Sequence, residues 1–183
     1  MKTHYLEVDY RAETVEEIFL SLDHGFIRYK KKFDDNEWYD AYWAQEQTES
    51  IFGIAYVTAQ TYITGTLSDV SKITGHSNRE KKIEWMFDSC NEVQDGVSTV
   101  YLINTMANYY KHYEEWEEWK AVGINKNTIE TLKKLGINEE TDFPCWEAAK
   151  IISNTDMPFD VSFLGRILIK WRKDLISHVK FSI

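Results

Sequence analysis

Hydrophobic residues recur every three or four positions along most of the chain, the spacing of α-helices that pack one face against a core. The predicted helices cover residues 13–33, 37–73, 80–90, 97–119, 126–135, 143–153 and 161–181. Residues 51–57 are apolar on nearly every side, so we place the 37–73 helix at the centre, with Gly53 permitting a close helix crossing. The pattern favours an all-α fold, a single-domain bundle of six or seven helices around one long central helix, spanning 1–183.

The segments between these helices are predicted to be irregular. Residues 3–10 alternate weakly and are expected to be extended, whereas 91–96, NEVQDG, are expected to form a loop. No pair of convincing strands stands out. Only 2 Pro and 8 Gly interrupt the chain, which is typical of long helices rather than of a many-turned β-fold.

Composition excludes several classes of protein. Apolar residues make up 43% and aromatic residues 15%, which excludes a disordered chain. No stretch of about 18 apolar residues is present, so no membrane span is expected. Cys90 and Cys145 fit no metal-ligand spacing, and no signal peptide is recognisable. We therefore expect free thiols and a cytoplasmic location.

Charge is distributed unevenly along the chain. The net charge is −9: residues 1–33 are neutral, 34–160 carry −13 and 161–183 carry +4. A strongly acidic body does not attract nucleic acid through its overall field. The basic C-terminal helix is expected to dock on the acidic body, with phosphate binding as the alternative.

A line of polar residues is the main candidate site. On a helix, Asn104, Asn108 and His112 lie four residues apart and share one face. This line is expected to face Glu49 or Gln60 of the central helix. Three interpretations stay open: an active or binding site in which His112 transfers protons, a buried network that fixes helix register, or a solvent-facing row.

Other motifs give weaker signals. The run 114–119, EEWEEW, is interpreted as a solvated acidic face with its Trp rings turned inward, or as a cation-binding or docking patch. The stretch 122–143 resembles a DNA-binding helix-hairpin-helix, but Asn138 stands where that motif has its second glycine, so an ordinary connection capped by Gly136 is the alternative. His spacing predicts no metal site, and the glycines form no phosphate loop, so no nucleotide or other cofactor is expected.

Two segments carry a resemblance to a known family. RKDLISH, from Arg172 to His178, fits the Arg, four to six residues, His pattern of HEPN domains, and ANYYKHYEEW resembles a segment of related helical proteins. HEPN domains are helical bundles, often metal-independent ribonucleases of prokaryotic defence and toxin systems, with a site formed across a dimer. The resemblance implies His112 as general acid and base, Asn108 positioning the phosphate, and Arg172 or Lys111 offsetting its charge.

Two classes of function therefore remain. In the first, the protein is a HEPN-like domain that binds or cleaves RNA, with Asn104, Lys111, Glu49 and Gln60 contributing to binding. In the second, it is a non-enzymatic acidic module, such as an antitoxin, immunity or assembly protein, that holds a protein partner. Ala107, which stands where the family arginine would precede Asn108, favours the second class. A protein partner or self-association is expected in both, and whether the chain is an enzyme is left open.

Overall fold

The computed structural model describes residues 8–35, 40–88, 92–116, 118–156, 158 and 160–181. It is 76% helical, which confirms the predicted all-α bundle. The described residues form seven α-helices: α1 (Ala12–Asp35), α2 (Ala41–Thr74), α3 (Arg79–Phe87), α4 (Thr99–His112), α5 (Lys126–Lys134), α6 (Pro144–Ser153) and α7 (Phe163–Phe181). Two turns of 3₁₀-helix, Tyr113–Glu115 and Gly123–Asn125, follow α4. The expected extended lead-in falls largely on residues 1–7, outside the described part.

Helix α2, 34 residues long, is the central element, and α1, α4, α6 and α7 all pack against it. Its first turn is capped by Asp40, whose carboxylate accepts a hydrogen bond from the Trp43 N–H at 2.9 Å. It ends where Gly75 adopts a φ of 75°, which glycine tolerates without strain, and donates its N–H to the Ser71 carbonyl at 3.0 Å. The prediction of one long central helix is confirmed.

Aromatic side chains fill much of the core around α2. The largest fully buried ones are Phe19, Phe52, Tyr56, Tyr62 and Trp171. Their polar atoms keep hydrogen bonds: the Tyr56 hydroxyl donates to the Cys145 carbonyl at 3.2 Å, and the Trp171 indole N–H donates to the Trp85 carbonyl at 3.0 Å. These bonds avoid the cost of burying an unpaired donor and fix how α6 and α3 sit against the core.

Gly53 marks the close crossing of α2 and α4 that the sequence predicts. A Cβ at this position would lie 2.1 Å from two ring carbons of Tyr110, so only glycine fits while the ring stays in place. Further along α2, Gln60 contacts Asn104, which precedes Tyr110 on α4. The two helices therefore run antiparallel, and their close approach brings the polar residues of α4 against α2.

The prediction of a loop over 91–96 is wrong for the described residues. Strand β1 (Glu92–Gln94) pairs with β2 (Val97–Ser98) as an antiparallel hairpin. Asp95 and Gly96 form its turn with φ values of 50° and 74°, and an Asp-Gly pair accepts such angles readily. The hairpin leads directly into α4, where the Ser98 hydroxyl caps the first turn by accepting from the Tyr101 N–H at 3.1 Å.

Helix α4 ends at His112 rather than at the predicted Trp119. The chain then folds back so that the rings of Trp116 and Trp119 lie 5.7 and 5.5 Å from the Tyr109 ring, measured between centroids. Both indoles are half-buried, whereas Glu114, Glu115 and Glu118 are exposed. The inward direction of the Trp rings and the solvated carboxylates agree with the first interpretation of the EEWEEW run.

A carboxylate from α1 holds the start of α7. Asp23, only 8% exposed, accepts hydrogen bonds from the backbone N–H groups of Val161 and Ser162 and from the Ser162 hydroxyl. These N–H groups lie at the positive end of the helix dipole, where a negative charge is stabilising. Asp23 therefore fixes the C-terminal helix to the first one.

Candidate functional site

The side chains of Gln60, Asn104 and Asn108 meet between α2 and α4. The Gln60 amide nitrogen donates to the side-chain oxygens of Asn104 at 3.0 Å and Asn108 at 2.8 Å. The three side chains are half-buried, so the line is neither sealed in the core nor open to solvent. The predicted contact between the α4 polar line and the central helix is present, with Gln60 as the residue that provides it.

Lys111 completes this group, which we call the amide cluster (Gln60, Asn104, Asn108 and Lys111). Its ammonium group donates to the Gln60 amide oxygen at 2.7 Å. Because that oxygen accepts from Lys111, the Gln60 nitrogen must be the atom directed at the two asparagines. Both asparagines accept through their oxygens, so their amide nitrogens, which have no partner among the described residues, remain available as donors.

The amide cluster borders a cleft of about 290 Å³, the amide cleft, formed by α2, α3, α4 and the start of α5. Its walls comprise Thr64, Leu67, Arg79, Lys82, Ile83, Met86, Tyr101, Asn104, Thr105, Asn108, Asn127 and Thr128. Arg79 and Lys82 stand three residues apart on one face of α3. Within the described part of the chain neither forms an ion pair, so the cleft carries two uncompensated positive charges beside its amides.

His112 lies outside this cleft. Its Nδ1 is 3.3 Å from both carboxylate oxygens of Glu115, and its side chain is 43% exposed. It shares a helix with Asn108 but no hydrogen bond with the amide cluster among the described residues. The structure therefore brings Asn104, Asn108, Lys111 and Gln60 together and leaves His112 with the acidic turn that follows α4.

Arg172 is buried in another part of the molecule. Only 5% of it is exposed, and its Nε lies 3.6 Å from a carboxylate oxygen of Asp9, which also accepts from the Tyr62 hydroxyl. The guanidinium thus binds the segment that leads into α1. Asp9 lies in the neutral segment 1–33 rather than in the acidic body 34–160, and the contact places Arg172 away from the amide cleft.

Glu49, the other expected inward residue of α2, caps helix α6 instead. Its two carboxylate oxygens accept from the N–H groups of Cys145 at 2.7 Å and Trp146 at 2.9 Å. Burial raises the pKa of Glu49 above its ordinary value, and the two N–H bonds only partly offset this. The Cys145 thiol is free and fully buried, and burial raises its pKa well above the ordinary value, so it is not a reactive thiolate.

Arg79, Lys82 and Asn127 are the cleft residues that sequence reasoning missed. The signal for the first two was a pair of cations at helical spacing on a short helix. Most surface cations at such spacing are paired or simply solvated. Only the packing of α3 beside α4 shows that these two share a cleft with the amide cluster.

A second cleft of about 730 Å³ lies between α3 and the end of α7, and we call it the histidine cleft. Its lining comprises Thr74, His76, Lys81, Glu84, Trp85, Phe87, Asp88, His178 and Val179. Its ionisable groups have partners: His178 Nδ1 lies 2.9 Å from an Asp88 oxygen, and the Lys81 ammonium lies 2.6 Å from a Glu84 oxygen. It is thus larger and closer to neutral than the amide cleft.

Comparison with known proteins identifies no relative that could assign a function to these clefts. No protein-family model matches the sequence, and no match is found among curated proteins or solved structures. Within the described ranges, no three His, Cys, Asp or Glu side chains converge as they would to hold a metal ion. None of the helices described above combines the length and hydropathy needed to cross a membrane.

Proposed function

We propose that the protein binds RNA and that the amide cleft holds a phosphate group of the RNA backbone. The observation that carries this proposal is the presence of Arg79 and Lys82, without partners among the described residues, in one cleft with the amide cluster. Guanidinium and ammonium groups are the usual ligands of phosphate oxygens, and charge-assisted hydrogen bonds to them are the strong ones.

The asparagines give the cleft directional donors besides its charge. The amide nitrogens of Asn104 and Asn108, which no described residue engages, belong to residues four positions apart on α4, and Asn127 lines the same cleft from α5. Polar side chains of this kind supplement Arg and Lys at phosphates and fix the position of the backbone. A small cleft that combines two cations with amide donors suits one phosphate group of the backbone rather than several successive ones.

Binding, rather than cleavage, is the activity that this arrangement supports. Hydrolysis of RNA without a metal requires a proton-transfer group within reach of the phosphate. His112, the expected general acid and base, is engaged with Glu115 and does not line the amide cleft. The resemblance of residues 172–178 and 107–116 to HEPN-like proteins is the reason for proposing RNA rather than another phosphate-bearing polymer. The same resemblance is the basis for proposing a HEPN-like family and a prokaryotic defence or toxin-antitoxin setting.

A second candidate is supported by a separate surface. Glu114, Glu115 and Glu118 are exposed on the aromatic platform of Trp116 and Trp119. An exposed group of carboxylates, of which Glu115 contacts His112 and Glu118 contacts Lys120, suits a basic protein partner, as in an antitoxin, immunity or assembly protein. This acidic module would use a different face from the amide cleft, so variants can separate the two functions.

The test is binding of a labelled RNA stem-loop, which offers paired and unpaired segments, by the full chain. Fluorescence anisotropy over a range of salt concentrations compares wild type with Arg79→Ala/Lys82→Ala and with the charge-matched control Arg28→Ala/Lys31→Ala on α1. We expect the cleft variant to bind more weakly and its slope of log K against log salt to become shallower by about 0.7, the contribution of one neutralised phosphate. The control should retain the wild-type slope.

Equal binding by the cleft variant and its control would refute the proposal. Electrophoresis of the same RNA after incubation tests cleavage: we expect intact RNA with wild type and with His112→Ala. If wild type degrades the RNA and His112→Ala does not, the activity is cleavage rather than binding alone.

A further inference from the structure

Helix α3 separates the two clefts. Arg79, Lys82, Ile83 and Met86 line the amide cleft, whereas Lys81, Glu84, Trp85 and Phe87 line the histidine cleft. With about 100° between successive residues, these sets fall on opposite faces of the helix. A ligand in the amide cleft is therefore separated from a second, larger cleft only by the short helix α3.

The two clefts differ in what they can hold. The cations of the amide cleft lack partners among the described residues, which suits a phosphate. In the histidine cleft, Asp88 pairs with His178 and Glu84 with Lys81, so no surplus positive charge is directed at a ligand. Its remaining walls include aromatic and aliphatic side chains. Polar side chains beside the partly exposed ring of Phe87 suit a neutral, flat molecule that stacks on the ring and forms hydrogen bonds at its edge.

An aromatic pair joins the clefts across the end of α3. Phe87 lines the histidine cleft, Tyr101 lines the amide cleft, and their ring centroids are 5.1 Å apart. Phe87 is 40% exposed, so part of its ring is free for stacking. Aromatic side chains beside a phosphate-binding groove are the usual platform for bases of single-stranded nucleic acid.

We propose, on the basis of the RNA-binding function above, that the histidine cleft receives an unpaired base of the same strand. The base stacks on Phe87 while a backbone phosphate of a neighbouring nucleotide lies in the amide cleft. Thr74, His76 and the Asp88–His178 pair supply donors and acceptors for the edge of the base. In a duplex the bases are stacked and paired inside the helix, so the ligand class is single-stranded RNA.

The experiment measures binding of three probes to the full chain by fluorescence anisotropy. The probes are a labelled single-stranded RNA decamer, the same decamer in a fully paired duplex, and a decamer whose central positions lack bases. We expect the single strand to bind at least about 5-fold more tightly than the abasic strand, since one stacked base contributes that much or more. The duplex should bind no better than the abasic strand.

Variants assign the preference to the histidine cleft. Phe87→Ala should remove the difference in affinity between normal and abasic strands, whereas Phe87→Tyr should keep it. Ile54→Ala, at a comparably exposed apolar position on α2, should leave this difference unchanged. Unaltered melting temperatures exclude a folding defect. Equal binding of normal and abasic strands, with Arg79→Ala/Lys82→Ala still weakening both, would overturn the base site and leave the phosphate cleft. If the latter variant has no effect, the RNA-binding function itself fails.

Discussion

Replacing Gly53 by alanine tests the close approach of α2 and α4 that forms the amide cluster. The new Cβ would lie 2.1 Å from two ring carbons of Tyr110, far inside van der Waals contact, so the ring or a helix must move by more than 1 Å. Overpacking of this kind costs roughly 1–3 kcal/mol, and the severity of the overlap places Gly53→Ala near the upper end. The higher helix propensity of alanine offsets about 1 kcal/mol of this cost.

We therefore expect Gly53→Ala to lower the free energy of unfolding by about 1–2 kcal/mol, which for a domain of this size shifts the melting temperature by roughly 2–4 °C per kcal/mol. Gly25→Ala on α1 is the matched control. Its Cβ would meet only the Ile51 Cδ1 at 3.5 Å, an ordinary contact, so the propensity gain of about 0.5–1 kcal/mol should appear as stabilisation.

The assay is urea unfolding followed by circular dichroism, with Gly53→Ala/Tyr110→Ala as the third variant. Removing the ring removes the clash, so the double variant should be more stable than the sum of the two single changes implies. If Gly53→Ala is as stable as Gly25→Ala, the Tyr110 ring moves away without cost. The reasoning that the α2–α4 distance depends on glycine would then be refuted.

Two further predictions concern carboxylates that cap helices. Asp23→Ala should lower the free energy of unfolding by roughly 1–3 kcal/mol, because it leaves buried N–H groups of 161–162 without an acceptor. Asp35→Ala, at an exposed position on α1, is the control. Equal urea midpoints for the two alanine variants would contradict this prediction. Because the pKa of Glu49 is raised in the folded state, its contribution to stability is complete below its ordinary pKa and is lost as pH rises through the raised pKa. The stability of wild type relative to Glu49→Gln should therefore be greatest below the ordinary pKa of a glutamate and should decrease as pH rises above it. A difference independent of pH in urea titrations would show that this pKa is not raised.

The helices were predictable because each buries one face, and the resulting spacing of apolar residues is visible without any tertiary information. The hairpin was not, since strands of two or three residues are too short to show a period, although Asp95 and Gly96 carried the turn signal. The end of α4 was missed for a different reason. Residues 113–119 continue a helical pattern, and only contacts of Trp116 and Trp119 with Tyr109 explain why the chain folds back.

The candidate site was partly predictable from helical spacing. Four-residue steps placed Asn104 and Asn108 on one face, and Gln60 was one of two side chains of α2 expected opposite them. The other, Glu49, is indeed directed inward, but its partners are backbone N–H groups of α6, which no sequence pattern reveals. Arg79 was not predicted as a cleft residue, because its position depends on the orientation that the loop after Gly75 gives to α3.

The carboxylates of Asp23 and Glu49 have a consequence for synthesis of the chain. The hydrogen bonds of Asp23 span 138 and 139 residues, and those of Glu49 span 96 and 97. Both acceptors leave the ribosome long before the helices that they hold. The N–H groups at the start of the last two helices therefore gain these acceptors only once the later part of the chain has been synthesised, so these hydrogen bonds link the late part of the chain to the early part.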